Sequence, residues 1–97
     1  MNNIVAFVTG AGSGLGRATA LSLATRGANV CIVDITQSRA DNVALEIAST
    51  RGTEKSVLAL AGDVADESQM ENCIEQALKK FGLINVNVNC AGIAPPS

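Results

Sequence analysis

Four short apolar runs separated by three helix-like stretches limit what this chain can fold into. The runs are residues 4–8 (Ile-Val-Ala-Phe-Val), 29–33 (Asn-Val-Cys-Ile-Val), 57–61 (Val-Leu-Ala-Leu-Ala) and 84–89 (Ile-Asn-Val-Asn-Val-Asn). The first three read as buried strands, and the fourth alternates apolar and polar residues with period two. The first helix reads from Arg17 to Ala24, and Gly27 falls where it would stop. The second carries Ala40, Val43, Ala44, Ile47 and Ala48 at helical spacing and stops at Gly52. The third has the clearest stripe: Met70, Cys73, Ile74, Ala77, Leu78 and Phe81. Asp66 with Gln69 approximates a capping box ahead of it, Lys79 and Lys80 suit its C-terminal dipole, and Gly82 ends it. Such alternation predicts an α/β fold with a parallel sheet and helices on its faces. Right-handed crossovers then predict the strand order 3-2-1-4, a partial Rossmann-like, doubly wound sheet of four parallel strands.

The connection after the first strand, Thr9-Gly10-Ala11-Gly12-Ser13-Gly14-Leu15-Gly16, leads straight into a helix. A strand, a glycine-rich turn and a helix N-terminus form an anion site. Free backbone N–H groups and the positive end of the helix dipole meet there, and glycine lets a pyrophosphate approach. This is not the phosphate loop of nucleotide triphosphatases, because Leu15 stands where that loop needs glycine and no Gly-Lys-Ser/Thr follows. A dinucleotide is the expected ligand. Asp34 ends the second strand, where a carboxylate accepts hydrogen bonds from ribose hydroxyls and repels a 2′-phosphate, favouring NAD over NADP. Its plainer reading is a strand-end turn residue, and the nearby Arg39 leaves NADP open. Asp63 and Val64 follow the third strand, and Asn89-Cys90-Ala91-Gly92 follows the fourth.

Composition excludes several alternatives. The chain has 97 residues, 47% apolar and 16% charged, a globular balance that fits one domain or part of one. A net charge of −2 without a basic patch argues against nucleic acid. No apolar run approaches the ~18–20 residues of a membrane span. Cys31, Cys73 and Cys90 lack metal-site spacing and have no histidine to join them, so they read as reduced, packed thiols of an intracellular protein. Cys90 also has no histidine to activate it as a nucleophile. Too few residues precede the first strand for a secretory signal. Residues 1–33 contain Arg17, Arg26, several Ser and Thr and no acid, a composition like that of a mitochondrial address. A helix behind a phosphate site would avoid acids too, so cytoplasm and mitochondrion both stay open. The Arg17 side chain reads as part of a solvated face.

Thr-Gly-x-x-x-Gly-x-Gly at Thr9, Gly10, Gly14 and Gly16 resembles the cofactor motif of the short-chain dehydrogenases/reductases. Asn89-Cys90-Ala91-Gly92 resembles that family's Asn-Asn-Ala-Gly turn, with Cys in the second place. Within the family the chain looks most like the type-2 3-hydroxyacyl-CoA dehydrogenases. The resemblance implies that Gly10, Ser13, Gly14, Leu15 and Gly16 cradle the pyrophosphate and adjoining ribose. Asp34 would hold the adenosine ribose, Asp63 the adenine amino group with Val64 beside the ring, and Asn89 and Cys90 the nicotinamide side.

The family uses a Tyr, with Lys and Ser, to move a proton at the substrate oxygen, and this chain has no Tyr. Residues 1–97 therefore read as the N-terminal NAD-binding part of a single Rossmann-fold domain, truncated, with no catalytic residue of its own. The expected activity is that of an NAD-dependent oxidoreductase on a secondary alcohol or ketone, with a 3-hydroxyacyl-CoA as one candidate. A small-molecule substrate, and a homo-oligomer, would belong to a longer chain. Two other readings stand beside it: a 3-oxoacyl-thioester reductase of the same family, and a non-catalytic nucleotide-binding or partner-binding protein. A fourth strand left at the sheet edge, without further helices, predicts marginal stability.

Overall fold

A computed structural model describes residues 4–90. Seven elements alternate along it: β1 (Val5–Thr9), α1 (Gly14–Thr25), β2 (Asn29–Asp34), α2 (Gln37–Arg51), β3 (Val57–Ala61), α3 (Glu67–Phe81) and β4 (Val86–Asn89). All strand pairs are parallel and the order is β3-β2-β1-β4, as the crossover rule requires. Phe7 stands opposite Cys31 on one side and Asn87 on the other.

Side-chain alternation divides the core between the two faces of the sheet. Ala6, Val8, Val30, Ile32 and Val57 point to one face and meet Ala20 and Ala24 of α1 and Ala40, Val43 and Ile47 of α2. Alanine at the contact positions lets both helices lie close to the strands. Phe7, Cys31 and Val33 point to the other face and meet Cys73 and Ala77 of α3, flanked by Met70, Ile74 and Phe81. β1 and most of β2 are buried throughout, which explains their nearly continuous apolar sequences. The acid-free stretch noted in the sequence builds β1, α1 and most of β2.

The ends of elements depart from the sequence reading in informative ways. Helix α1 starts at Gly14, inside the glycine run, whereas β2 ends at Asp34 as the sequence predicts. Strand β4 starts at Val86 rather than Ile84 because Asn85 pairs through its side chain. Its Oδ1 accepts from the Val5 N–H at 2.8 Å, and its own N–H donates to the Val5 carbonyl at 2.9 Å. Ile84 packs with the α3-side core instead.

Among the described residues, two arginines hold elements together. Arg17 is exposed, yet it is not simply solvated: its Nε and Nη2 donate to the two carboxylate oxygens of Glu46, joining α1 to α2. This pair raises the Arg17 pKa, chiefly through the hydrogen bond. An exposed pair of this kind contributes little to stability. Arg51 does more local work. Its Nη1 donates to the Ala28 carbonyl at 2.7 Å and the Ala24 carbonyl at 3.3 Å, at the end of α1, whose last turn has no basic residue of its own.

The thiols behave as packing groups. Burial pushes Cys31 up to about 12, helped by neighbouring Cys73, and pushes Cys73 up as well. Both stay neutral at physiological pH and neither is an activated nucleophile. Among the described residues no helix is long and apolar enough to cross a membrane.

Candidate cofactor site

The C-terminal ends of β1, β2 and β3 open into a cleft of about 420 Å³. This is where parallel sheets bind ligands, beside the point where the strand order reverses. The cleft is built from three connections.

The first is the glycine turn, which contributes Gly10, Ser13, Leu15 and Gly16 to the lining. Gly14 opens α1 with φ +58°, a left-handed conformation, and faces open space. Gly16 allows close packing: a Cβ there would overlap the Gly10 carbonyl oxygen and stand 2.7 Å from its carbon. The turn can thus fold back on itself and present α1 end-on. The first helical bond recorded for α1 runs from the Arg17 N–H to the Ser13 carbonyl at 3.4 Å. The N–H groups of Gly14, Leu15 and Gly16 come before it, the ones a helix cannot satisfy internally. Ser13 occupies the N-cap position without making a side-chain cap bond, and the first turn carries no acid. These features suit an anion.

The second connection follows β2. Asp34 is only 6% exposed and lines the cleft. Its Oδ1 accepts from the Gly12 N–H at 3.2 Å and its Oδ2 from the Thr36 N–H at 3.0 Å. The carboxylate therefore braces the glycine turn as well as facing the cleft. Gly12 makes this approach possible: a Cβ there would lie 2.6 Å from Asp34 Cγ and 2.6 Å from Arg39 Cβ. The sequence reading did not assign Gly12 a role, because it lies outside the motif spacing. The same contact brings the stem of Arg39 next to Asp34. Ile35, 67% exposed, lines the cleft and was also missed. The available signal was an apolar residue directly after a strand-end acid, outside any helical stripe.

The third connection follows β3 and adds Gly62, Asp63 and Val64. Asp63 is not an unengaged carboxylate, since its Oδ1 accepts from the Ala65 N–H at 2.9 Å. Asp66 caps α3, as the sequence predicts, accepting from the Gln69 N–H at 3.1 Å.

Beyond β4 the two expected residues part company. Cys90 lines the cleft, and its N–H donates to the Thr9 carbonyl at 3.1 Å. Asn89 lies in a neighbouring hollow on the α3 side, with Phe7, Thr9 and Asn87. Its Oδ1 accepts from Thr9 Oγ1 at 3.0 Å. Alternation along a strand sends adjacent side chains to opposite faces. Ala91 and Gly92 of the same turn lie outside the described residues.

Comparison with known proteins agrees with this architecture. The family model described as short chain dehydrogenase matches residues 4–97. A 3-hydroxyacyl-CoA dehydrogenase type-2 of Drosophila melanogaster is 39% identical over 94 residues, covering 97% of this chain and 34% of that protein. A D-threitol dehydrogenase of Mycolicibacterium smegmatis is 38% identical over 90 residues, covering 93% and 34%. Among solved structures, a 3-ketoacyl-(acyl-carrier-protein) reductase from Brucella melitensis complexed with NADH superposes with a TM-score of 0.80 at 38% identity. That match covers 89% of this chain and 33% of that one. The apo glucose dehydrogenase of Caenorhabditis elegans gives 0.86 at 31% identity, covering 91% and 37%. The chain thus spans about a third of the length of the curated relatives it matches. Its strand order, its glycine turn and these matches lead to one conclusion: the chain belongs to the short-chain dehydrogenase family.

Proposed function

We propose that this chain is the cofactor-binding portion of an NAD-dependent oxidoreductase that acts on a secondary alcohol or ketone. The observation that carries the reading is one cleft that joins three features. It has unsatisfied N–H groups at the start of α1, a buried carboxylate at the end of β2, and Asp63 with Val64 at the end of β3. The pyrophosphate would lie against Gly10, Ser13, Gly14, Leu15 and Gly16, and Asp34 would take the adenosine ribose. Asp63 would take the adenine amino group, with Ile35 and Val64 offering apolar surface to the ring. Asn89 and Cys90 would lie toward the nicotinamide. A bound nicotinamide supplies the hydride chemistry; these residues bind and orient it. Without Tyr, they supply no acid or base for the substrate oxygen. The names of two relatives, both 3-hydroxyacyl-CoA dehydrogenase type-2, make a 3-hydroxyacyl-CoA the first substrate class to test in the longer protein.

The stem of Arg39 beside Asp34 favours a second reading, NADP, and one titration separates the two. We expect saturable binding of NAD and weaker binding of NADP. Asp34→Asn should reduce that preference about tenfold, because it removes the charge that repels a 2′-phosphate. Equal affinity for both dinucleotides, or a preference that Asp34→Asn leaves unchanged, would refute the NAD assignment.

A further inference from the structure

The loop between β3 and α3 is tied down in an unusual way. In a capping box the side chain of the third helical residue returns to the N–H of the N-cap residue. Here the N-cap N–H, that of Asp66, already donates to the Asp63 carbonyl at 2.9 Å. Gln69 reaches past it, and its Oε1 accepts from the Asp63 N–H at 2.9 Å. Its Nε2 donates to Asp66 Oδ2 at 3.1 Å. The orientation of the amide is decided by its partners: a carboxylate only accepts and a backbone N–H only donates. The cap of α3 and the cleft residue Asp63 thus share one hydrogen-bond network. Asp63 Oδ1 is held by the Ala65 N–H, and Oδ2 makes no bond among the described residues.

We propose that Gln69 is a positioning residue for the adenine end of the site, acting through Asp63. Gln69 does not line the cleft itself. By fixing the Asp63 backbone it sets where Oδ2 stands, and a carboxylate there selects a base that donates a hydrogen. The proposal rests on the assignment of Asp63 to the adenine amino group.

The test compares NAD with its hypoxanthine analogue, in which a carbonyl replaces the exocyclic amino group. The unmodified chain should prefer NAD. Gln69→Leu should weaken NAD binding about three- to tenfold, the range for one lost hydrogen bond. It should also shrink the preference for the amino base and leave the NAD-over-NADP preference unchanged. Independently of any ligand, the Asp63 amide should lose hydrogen-exchange protection in Gln69→Leu. A purely structural cap would lower stability without moving the base preference. A folded Gln69→Leu chain with unchanged base preference, or with the Asp63 amide still protected, overturns the proposal. If the unmodified chain does not distinguish the two bases and Asp63→Ala changes nothing, the Asp63 assignment itself has failed. A chain that binds neither dinucleotide overturns the cofactor reading and this proposal together.

Discussion

Gly16 and Asp34 show how much a single position decides here. Gly16 has no room for a side chain, because the Gly10 backbone occupies the space where Cβ would be. Gly16→Ala should destabilise the chain by about 1–3 kcal/mol, typical of forced overpacking. It should also abolish nucleotide binding, because the turn must open to admit the methyl group. Chemical denaturation and an NAD titration check both outcomes; full binding in a destabilised variant would separate turn geometry from ligand contact. Asp34 was legible as a candidate ligand residue from its place at a strand end, and it lines the cleft. Its bonds to the Gly12 and Thr36 N–H groups were not, since they link separate connections in space. Ile35 went unread for a related reason: only the fold shows that its exposure is directed into the cleft.

At the scale of elements, caps and stripes in the sequence placed the helices well. Asp66, Gly52 and Gly82 stand at the helix ends they mark. Gly27, with φ +97°, likewise stands where α1 stops, and the Ala24 and Ala28 carbonyls there also receive Arg51 from the last turn of α2. No local pattern announces a cap supplied by another helix. Arg51→Met keeps an apolar stem of similar length and removes the donors. It should lower stability by about 1.5–3 kcal/mol, the range for hydrogen bonds to a charged group. Amide exchange near Ala24 and Ala28 should rise more than exchange in α3, and uniform loosening would contradict the capping role. Strand β4 carries the same lesson. Its alternation was legible, but Asn85 shortens it by substituting a side-chain oxygen for a ladder carbonyl.

For the whole molecule, coverage of the sheet is uneven. β1 and most of β2 are buried on both faces, whereas Asn87 and Asn89 of β4 are exposed. Among the described residues β4 pairs with β1 alone and so stands at an edge of the sheet. Residues 1–97 on their own should therefore unfold in a broad transition whose midpoint depends on protein concentration. A sharp, concentration-independent two-state transition of a monomer would contradict this. Sequence by itself determined the alternation of elements, the strand order, the family and most residues of the cleft. The elements and their order follow from period, cap chemistry and handedness, which act over a few neighbouring residues or constrain every parallel crossover alike, whereas the family and the cleft residues follow from motifs that resemble the family's. Only the tertiary structure decided that Asp34 braces Gly12 and that Gln69 reaches Asp63. Each depends on where side chains point once strands and helices have packed, and spacing along the chain does not encode that direction.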